Sequence, residues 1–262
     1  MPSIAFDNSQ WREQLTAYLP AQLRTLIQGD SGRDLIKKIE TSFLLFDNRV
    51  VHLESGDAVE LNVIDAQSIA AASAELLAGL SSAQRKECVV LLLLPANFFV
   101  ATTTTLPGVA KENLISALKL QADSILPSLE EPLSLAINPL SASHGDEHLA
   151  LWMIDKTLSD LFDAFAAKDI FLAAVKPRFL SINISSKSEK KAAILDVDAE
   201  SETCVIIEDG ILKSLLHVHK QDLQQDVFQQ QWQEALAQDP TKNVIDMHSA
   251  ADYCSRLDVQ VI

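Results

Sequence analysis

The stretch from Val89 to Leu140 limits the possible folds more than any other part of the chain. It begins VVLLLL, six apolar residues with no polar alternation. A strand of that kind is buried on both faces, so its sheet must be covered from both sides. Phe98 to Thr105 follows as a second strand, where four threonines favour extended backbone through branching at Cβ. Leu106-Pro107-Gly108 makes a turn, and a helix is predicted from about Lys111 to Leu126. Its stripe is Leu114, Leu118, Ala122 and Ile125, with Lys111, Glu112, Lys119 and Asp123 opposite. Pro127 stops the helix, and Leu133, Leu135 and Ile137 alternate in a third strand. Strand, strand, helix, strand in succession is the signature of an α/β fold.

The rest of the chain extends that pattern. Trp11, Leu15, Tyr18 and Leu19, resumed after Pro20 by Leu23, Leu26 and Ile27, predict helix in residues 1–30. SFLLF and RVVHL flank Asp47-Asn48 as a hairpin, with Asn48 the residue suited to a positive φ. Val59, Leu61 and Val63 alternate in a further short strand. Residues 66–80 form an Ala-rich helix with Ile69, Ala72, Leu76 and Leu80 on the side laid against a sheet. HLALWMI is a strand; the helix after it carries Leu158, Leu161, Phe162 and Phe165 on one face, and Phe171 to Val175 is again a strand. SSKSEKK at 185–191 reads as a linker. Beyond it comes a meander of three strands, a Gln-rich helix at 221–238, a strand at Asn243 to Ile245, a helix at Ser249 to Arg256 and a closing strand at Val259 to Ile262. The order strand-strand-strand-helix-strand occurs loosely twice.

Charge narrows the partners. The chain has 21 Lys and Arg against 36 Asp and Glu, a net charge of −15. Such a surface repels nucleic acid and anionic lipid; it suits a basic patch on a protein partner, though solubility is the simpler reason for the acidity. No run reaches the roughly 20 apolar residues of a membrane span, and MPSIAFDNSQW has neither the basic nor the apolar region of a secretory signal. The chain is therefore expected to be cytoplasmic as given. Cys88, Cys204 and Cys254 lie far apart in or near apolar runs, which predicts buried free thiols in a reducing compartment.

No catalytic pattern is present: GxSxG, HExxH and GxxxxGK[ST] are all missing. Asp196, Asp198, Glu200 and Glu202 are the carboxylates from which a divalent cation would draw oxygen ligands. A solvated acidic turn explains them more simply, and no metal is expected. His217 and His219 share one face of a strand, the spacing of a zinc chelate, but no third ligand is near; half-buried strand histidines are the simpler reading. Glu130-Glu131 is read as surface charge rather than a partner contact.

At Leu106 to Pro139 the sequence resembles a known family. LP, a charged helix, QADSILP and then LEEPLSLAINPL are similar to the assembly-platform proteins of type II secretion systems and type IV pili, that is, the cytoplasmic domain of secretion protein L and the actin-like pilus M protein. There a strand ends in Leu-Pro, a helix carries an acidic segment close to E-x-E-x-x-I-P, and a strand follows. Gln121-Ala122-Asp123 with Ile125-Leu126-Pro127 stands at that place. LALWMIDKTLSDLFDAFAAKDIFLAAVKPRFLSI and AAILDVDAESETCVIIEDGIL also resemble later parts of the family, so the likeness covers about residues 85–215.

The resemblance implies an α/β, actin-like (ribonuclease-H-like) fold of two lobes with mixed sheets flanked by helices. The lobes are expected at residues 1–145 and 146–262, with residues 1–80 matching poorly; the boundary lies near the 141–147 loop or the 185–191 linker. In actin-like ATPases the turn after the first strand of each half cradles phosphate with Gly and backbone N–H groups. The turn here runs from Asp196 to Thr203, and Asp198 stands where nucleotide binders carry Gly. Asp196, Asp198 and Thr203 therefore mark a degenerate phosphate turn, and no cofactor is expected. The implied function is a non-catalytic scaffold on the cytoplasmic side of the bacterial inner membrane. Its implied partners are the N-terminal domain of the secretion or pilus assembly ATPase, other platform proteins and a second copy of itself. The family carries a membrane helix after this domain, so either such a helix follows residue 262 or this is a separate soluble chain. The alternatives are an ATP-binding actin-like pilus regulator and a phage or plasmid structural protein with a similar strand order.

Overall fold

A computed structural model describes residues 39–81, 88–106, 132–137, 147–182, 191–208, 211–224 and 243–256, with single positions within 108–120 and 229–233. The helix predicted in 1–30, most of the helices predicted at 111–126 and 221–238, Glu130-Glu131 and the strand predicted at 259–262 lie outside the described residues.

Strands β1 (Thr41–Phe46), β2 (Arg49–His52) and β3 (Ala58–Glu60) form an antiparallel meander. The turn between β1 and β2 is the two-residue Asp47-Asn48, as the sequence suggests. Asp47 rather than Asn48 takes the left-handed conformation, at φ 52°. Asp shares with Asn a short polar side chain that tolerates this region. Helix α1 (Ala66–Leu76) starts at Asp65, whose carboxylate accepts the Ser68 N–H at 2.7 Å and caps the first turn. Strand β4 (Val89–Leu94) then runs parallel to β1.

Strands β5 (Val100–Thr105), β6 (Leu133–Ile137) and β7 (Glu147–Ile154) make a separate antiparallel sheet with β7 in the centre. Trp152 is buried there and donates its indole N–H to Thr102 Oγ1 at 2.8 Å. Leu118, from the predicted stripe, is buried in the same apolar cluster. Helix α2 (Asp155–Ala167) leads to β8 (Phe171–Pro177), which pairs with β4 in parallel. A 3-10 turn, Arg178–Ser181, follows.

The second meander is β9 (Lys191–Val197), β10 (Ser201–Glu208) and β11 (Ile211–His219), and β12 (Asn243–Met247) returns parallel to β9. Helix α3 (Ala250–Arg256) closes the described chain.

The strand orders reveal the architecture. The first sheet is β3-β2-β1-β4-β8 and the last is β11-β10-β9-β12. In each, three antiparallel strands run outward from the first, and the fourth lies parallel on its other side. The loose repeat in the sequence is thus a repeat of topology. The fold is α/β and actin-like, with two such sheets and a three-stranded insertion after β4. The expected division at 145/146 does not follow the sheets. It would separate β6 from its partner β7, and β4 from its partner β8. The sheets change over between Ile182 and Lys191, where the polar linker stands.

Strand β4 is buried along its whole length, as its sequence requires. Leu92 and Leu94 face α1 and α2 in a cluster with Ile69, Leu161 and Phe165. Leu91 and Leu93 share a second cluster with Ile194, Val205, Ile245 and Met247 of the last sheet. The two halves therefore meet through one apolar core. Two helix stripes differ from expectation. Ala70 and Ser73 are buried in α1 while Leu76 is half-buried; Phe162 of α2 is 38% exposed, and Ala164 is buried in its stead. Small residues let the helices approach closely, and α1 packs against α2 as well as the sheet. Cys88 and Cys204 are buried free thiols, whereas Cys254 is exposed on α3. Among the described residues no helix is long and apolar enough to cross a membrane.

Truncating Leu92 to Ala leaves a cavity between the sheet and α1/α2. A loss of about 2–5 kcal/mol is expected. In urea unfolding the midpoint falls while the slope stays constant, the mark of lost stability without a change of unfolded state.

Candidate functional site

The site lies where the β1–β2 and β9–β10 turns face each other. Strand β9 ends at Val197 and β10 begins at Ser201, so the second turn is only Asp198-Ala199-Glu200. Asp196 is in β9 and Thr203 in β10, directly paired across the ladder, and Glu202 is half-buried in β10. The eight-residue acidic turn read from the sequence is thus mostly strand. Alternation of apolar and polar residues in ILDVDAESETCV does not reveal that its middle is a tight reversal.

The turn consumes its own hydrogen-bonding groups. Asp198 N–H donates to Ser201 C=O at 3.0 Å. The Asp198 carboxylate accepts the N–H groups of Glu200 at 3.1 Å and Ser201 at 2.8 Å, and the Ser201 hydroxyl at 2.9 Å. The remaining amide, Ala199 N–H, donates to Asp47 Oδ1 of the opposite turn at 2.7 Å. Three consecutive N–H groups, a cradle suited to an anion, are bonded to two carboxylates of the protein itself.

Beneath the turns lies Arg178, which is 1% exposed. Pro177 ends β8 and the 3-10 turn swings Arg178 inward. Its Nε and Nη2 bind Asp196 in a bidentate fork at 2.8–3.0 Å, its Nη2 also reaches Asp198 Oδ2 at 3.0 Å, and its Nη1 donates to Leu45 C=O at 3.0 Å. The guanidinium stands 4.7 Å from the Phe46 ring centroid and 5.7 Å from that of Tyr253. One cation thus ties the end of β1 to β9 and to the second turn, on an aromatic bed. Burial alone would raise the Asp198 carboxyl; the Arg178 charge and the N–H groups of Ser201 and Glu200 outweigh it and hold it below the usual carboxylate range. Burial, then the nearby Asp196 charge, pushes the Tyr253 hydroxyl well above its ordinary value.

His217 and His219 share a strand face as expected, with ring centroids 5.7 Å apart. His217 Nδ1 lies 2.9 Å from Thr203 Oγ1, and its Nε2 is buried with no hydrogen-bond partner among the described residues. Burial and then the neighbouring His219 lower its pKa. Among the described residues no group of three His, Cys, Asp or Glu converges as a metal site. Asp196 and Asp198 spend their oxygens on Arg178 and on the turn.

Above the cluster the turns border a cleft of about 630 Å³. Leu45, Ile64, Pro95 and Phe98 form one wall; Asp47, Asp198, Glu200 and His219 stand among the polar groups, and among the described residues no Lys or Arg lines it.

Arg178 and Tyr253 are absent from the sequence reading, and Asp47 enters it only as a turn residue. Arg178 carried a usable signal: an arginine among the apolar residues of KPRFLSI requires a carboxylate partner once that stretch is buried. Asp196, inside the apolar AAILDV, was the matching acid.

No protein-family model matches the chain, and no curated protein matches it by sequence. Solved structures do. A chain of the PilM–PilN type IV pilus biogenesis complex aligns with a TM-score of 0.52 at 12% identity, over 76% of this chain and 67% of that one. The cytoplasmic domain of EpsL, an inner-membrane component of the type II secretion system of Vibrio cholerae, aligns with a TM-score of 0.49 at 13% identity, over 80% and 82%. A Bacteroides thetaiotaomicron protein with an actin-like ATPase fold gives 0.43 at 11%, over 82% and 84%. The likeness to the pilus complex chain carries the fold assignment.

Arg178→Met is expected to cost about 3–5 kcal/mol, since Asp196 stays buried and uncompensated. Arg178→Met with Asp196→Leu should recover most of that in the same denaturation assay, because an apolar replacement of the pair removes both charges. A second check uses pH. Folded His217 resists protonation, so the unfolded chain binds more protons below its ordinary pKa of about 6.5, and stability falls as pH drops through that value. Melting temperatures measured across this range should show a slope that His217→Gln flattens.

Proposed function

We propose that the chain is a non-catalytic scaffold domain of a bacterial secretion or pilus assembly platform, working on the cytoplasmic side of the inner membrane. It engages other platform proteins and recruits the assembly ATPase through that ATPase's N-terminal domain. One observation carries the non-catalytic part. In an actin-like fold, the turn amides at the mouth of the cleft are bonded to Asp47 and Asp198. A triphosphate would have to displace these carboxylates from the turn amides and then meet Asp47 and Glu200, with no Lys or Arg among the described residues that line the cleft. The platform role is supported by the sequence resemblance over about residues 85–215 and by the shared fold with a chain of the PilM–PilN complex. The acidic balance of −15 suits a basic partner.

Calorimetric titration with MgATP tests the first part; no heat of binding is expected, and stoichiometric Mg²⁺-dependent binding would make the chain an ATP-binding regulator instead. Co-purification with the N-terminal domain of the cognate assembly ATPase tests the second. A salt-sensitive complex is expected, and two separate elution peaks at low salt would refute recruitment.

A further inference from the structure

The cleft between the turns is amphipathic and faces solvent. On the side of the first half Leu45, Pro95, Phe98 and Ile64 form an apolar wall beside the polar Asp47, Asn48 and Asn97. Ile64 is 47% exposed and its neighbour Val63 60%, the one consecutive pair of exposed large aliphatics among the described residues. Exposed apolar side chains gathered at a concave site mark a binding surface more often than chance placement. On the side of the second half the cleft is acidic. The Glu200 carboxylate is exposed and takes no hydrogen bond from the described residues; Asp198, paired with Arg178, stands beside it, and Asp47 faces the turn from the first half. A volume of about 630 Å³ is within the range of pre-formed ligand sites.

These features select the occupant. Anions are refused, because the turn amides are used and the fixed charges are negative. A purely apolar ligand would bury Glu200 without compensation. A guanidinium or ammonium on an aliphatic stem satisfies both walls, its stem on Ile64 and Phe98 and its charge by Glu200. We propose that this cleft is a docking site for a protein segment that presents an arginine next to an aliphatic side chain. The proposal rests on the reading that the cleft holds no nucleotide, and it gives the scaffold a specific point of contact.

The test uses methyl- and amide-labelled protein in NMR titrations with two short synthetic peptides of leucine and alanine, one carrying arginines and the other glutamates at the same positions. The arginine peptide is expected to shift the Ile64 methyl and the Ala199 and Glu200 amides in a saturable, salt-sensitive way, and the glutamate peptide to shift none of them. Glu200→Arg should weaken the arginine peptide about tenfold, the scale of one lost charge pair at a partly desolvated rim. Ile64→Ser should weaken it without altering its salt dependence. Both positions are exposed, so the dispersion of the variants' spectra verifies folding independently. Shifts that map elsewhere, or affinity unchanged in both variants, would overturn the proposal. So would self-association in sedimentation that Ile64→Ser abolishes, since the occupant would then be a second copy. MgATP forms a separate arm: cleft shifts with MgATP sink the scaffold reading itself, whereas silence with both MgATP and the arginine peptide sinks only the docking site.

Discussion

A guanidinium with 1% exposure cannot stand in a protein core unpaired, and the centre of this molecule is arranged to meet that demand. Arg178 needs acceptors in several directions at once. Asp196 supplies a fork from β9, Leu45 a carbonyl from β1, and Asp198 an oxygen from the second turn. Phe46 and Tyr253 cover its faces. Those residues come from both sheets, so satisfying one cation sets how the halves sit on each other. The surrounding apolar cluster of Leu91, Leu93, Ile194, Val205 and Met247 supplies most of the association. Apolar contact is non-directional and tolerates sliding; the ion pair does not. We assign the pair to registry rather than to net stability, in keeping with the cost of desolvating two charges.

That registry determines the state of the turns. With Arg178 holding Asp198 from below, the carboxylate is placed to accept the amides of Glu200 and Ser201 above it. Asp47 is brought within reach of Ala199 from the other half. Glycine at 198 would remove the side-chain acceptor of the Glu200 and Ser201 N–H groups, while Ala199 N–H would keep Asp47. Two carboxylates thus occupy the turn without altering the strand order, an instance of the site differing while the fold is kept.

Much of this was legible. The unbroken VVLLLL required cover on two faces, and the structure supplies α1 and α2 on one side and the second half on the other. The attention the sequence drew to the turn at Asp198 was well placed, since its carboxylate accepts the N–H groups of Glu200 and Ser201. What stayed hidden depends on long-range partners. The 133 residues that separate Arg178 from Leu45, and the 152 between Ala199 and Asp47, leave no local periodicity to detect. Strand β8 looked like the property of a second lobe because it follows the polar loop and α2, yet its pairing is with β4. Helix stripes failed where packing replaced large residues by small ones, as at Ala70, Ser73 and Ala164.

The two halves share a strand order but not a role. In the first, the tip of the hairpin takes a left-handed conformation at Asp47 and projects a carboxylate. In the second, the tip offers three N–H groups. The Ala199 N–H takes its acceptor from the first half and the other two take theirs from Asp198 of the same turn, so the amides are occupied within the protein and the outer rim is left to solvent. The side chains on that rim, Glu200 and Ile64, make no hydrogen bond to the described residues, whereas the Glu200 backbone belongs to the turn. They can vary with the partner while Arg178, Asp196 and Asp198 keep the cleft in one shape. The interior that sets geometry and the rim that meets solvent are thus separate, and in this chain the division runs between the side chains of Asp198 and Glu200, two residues apart.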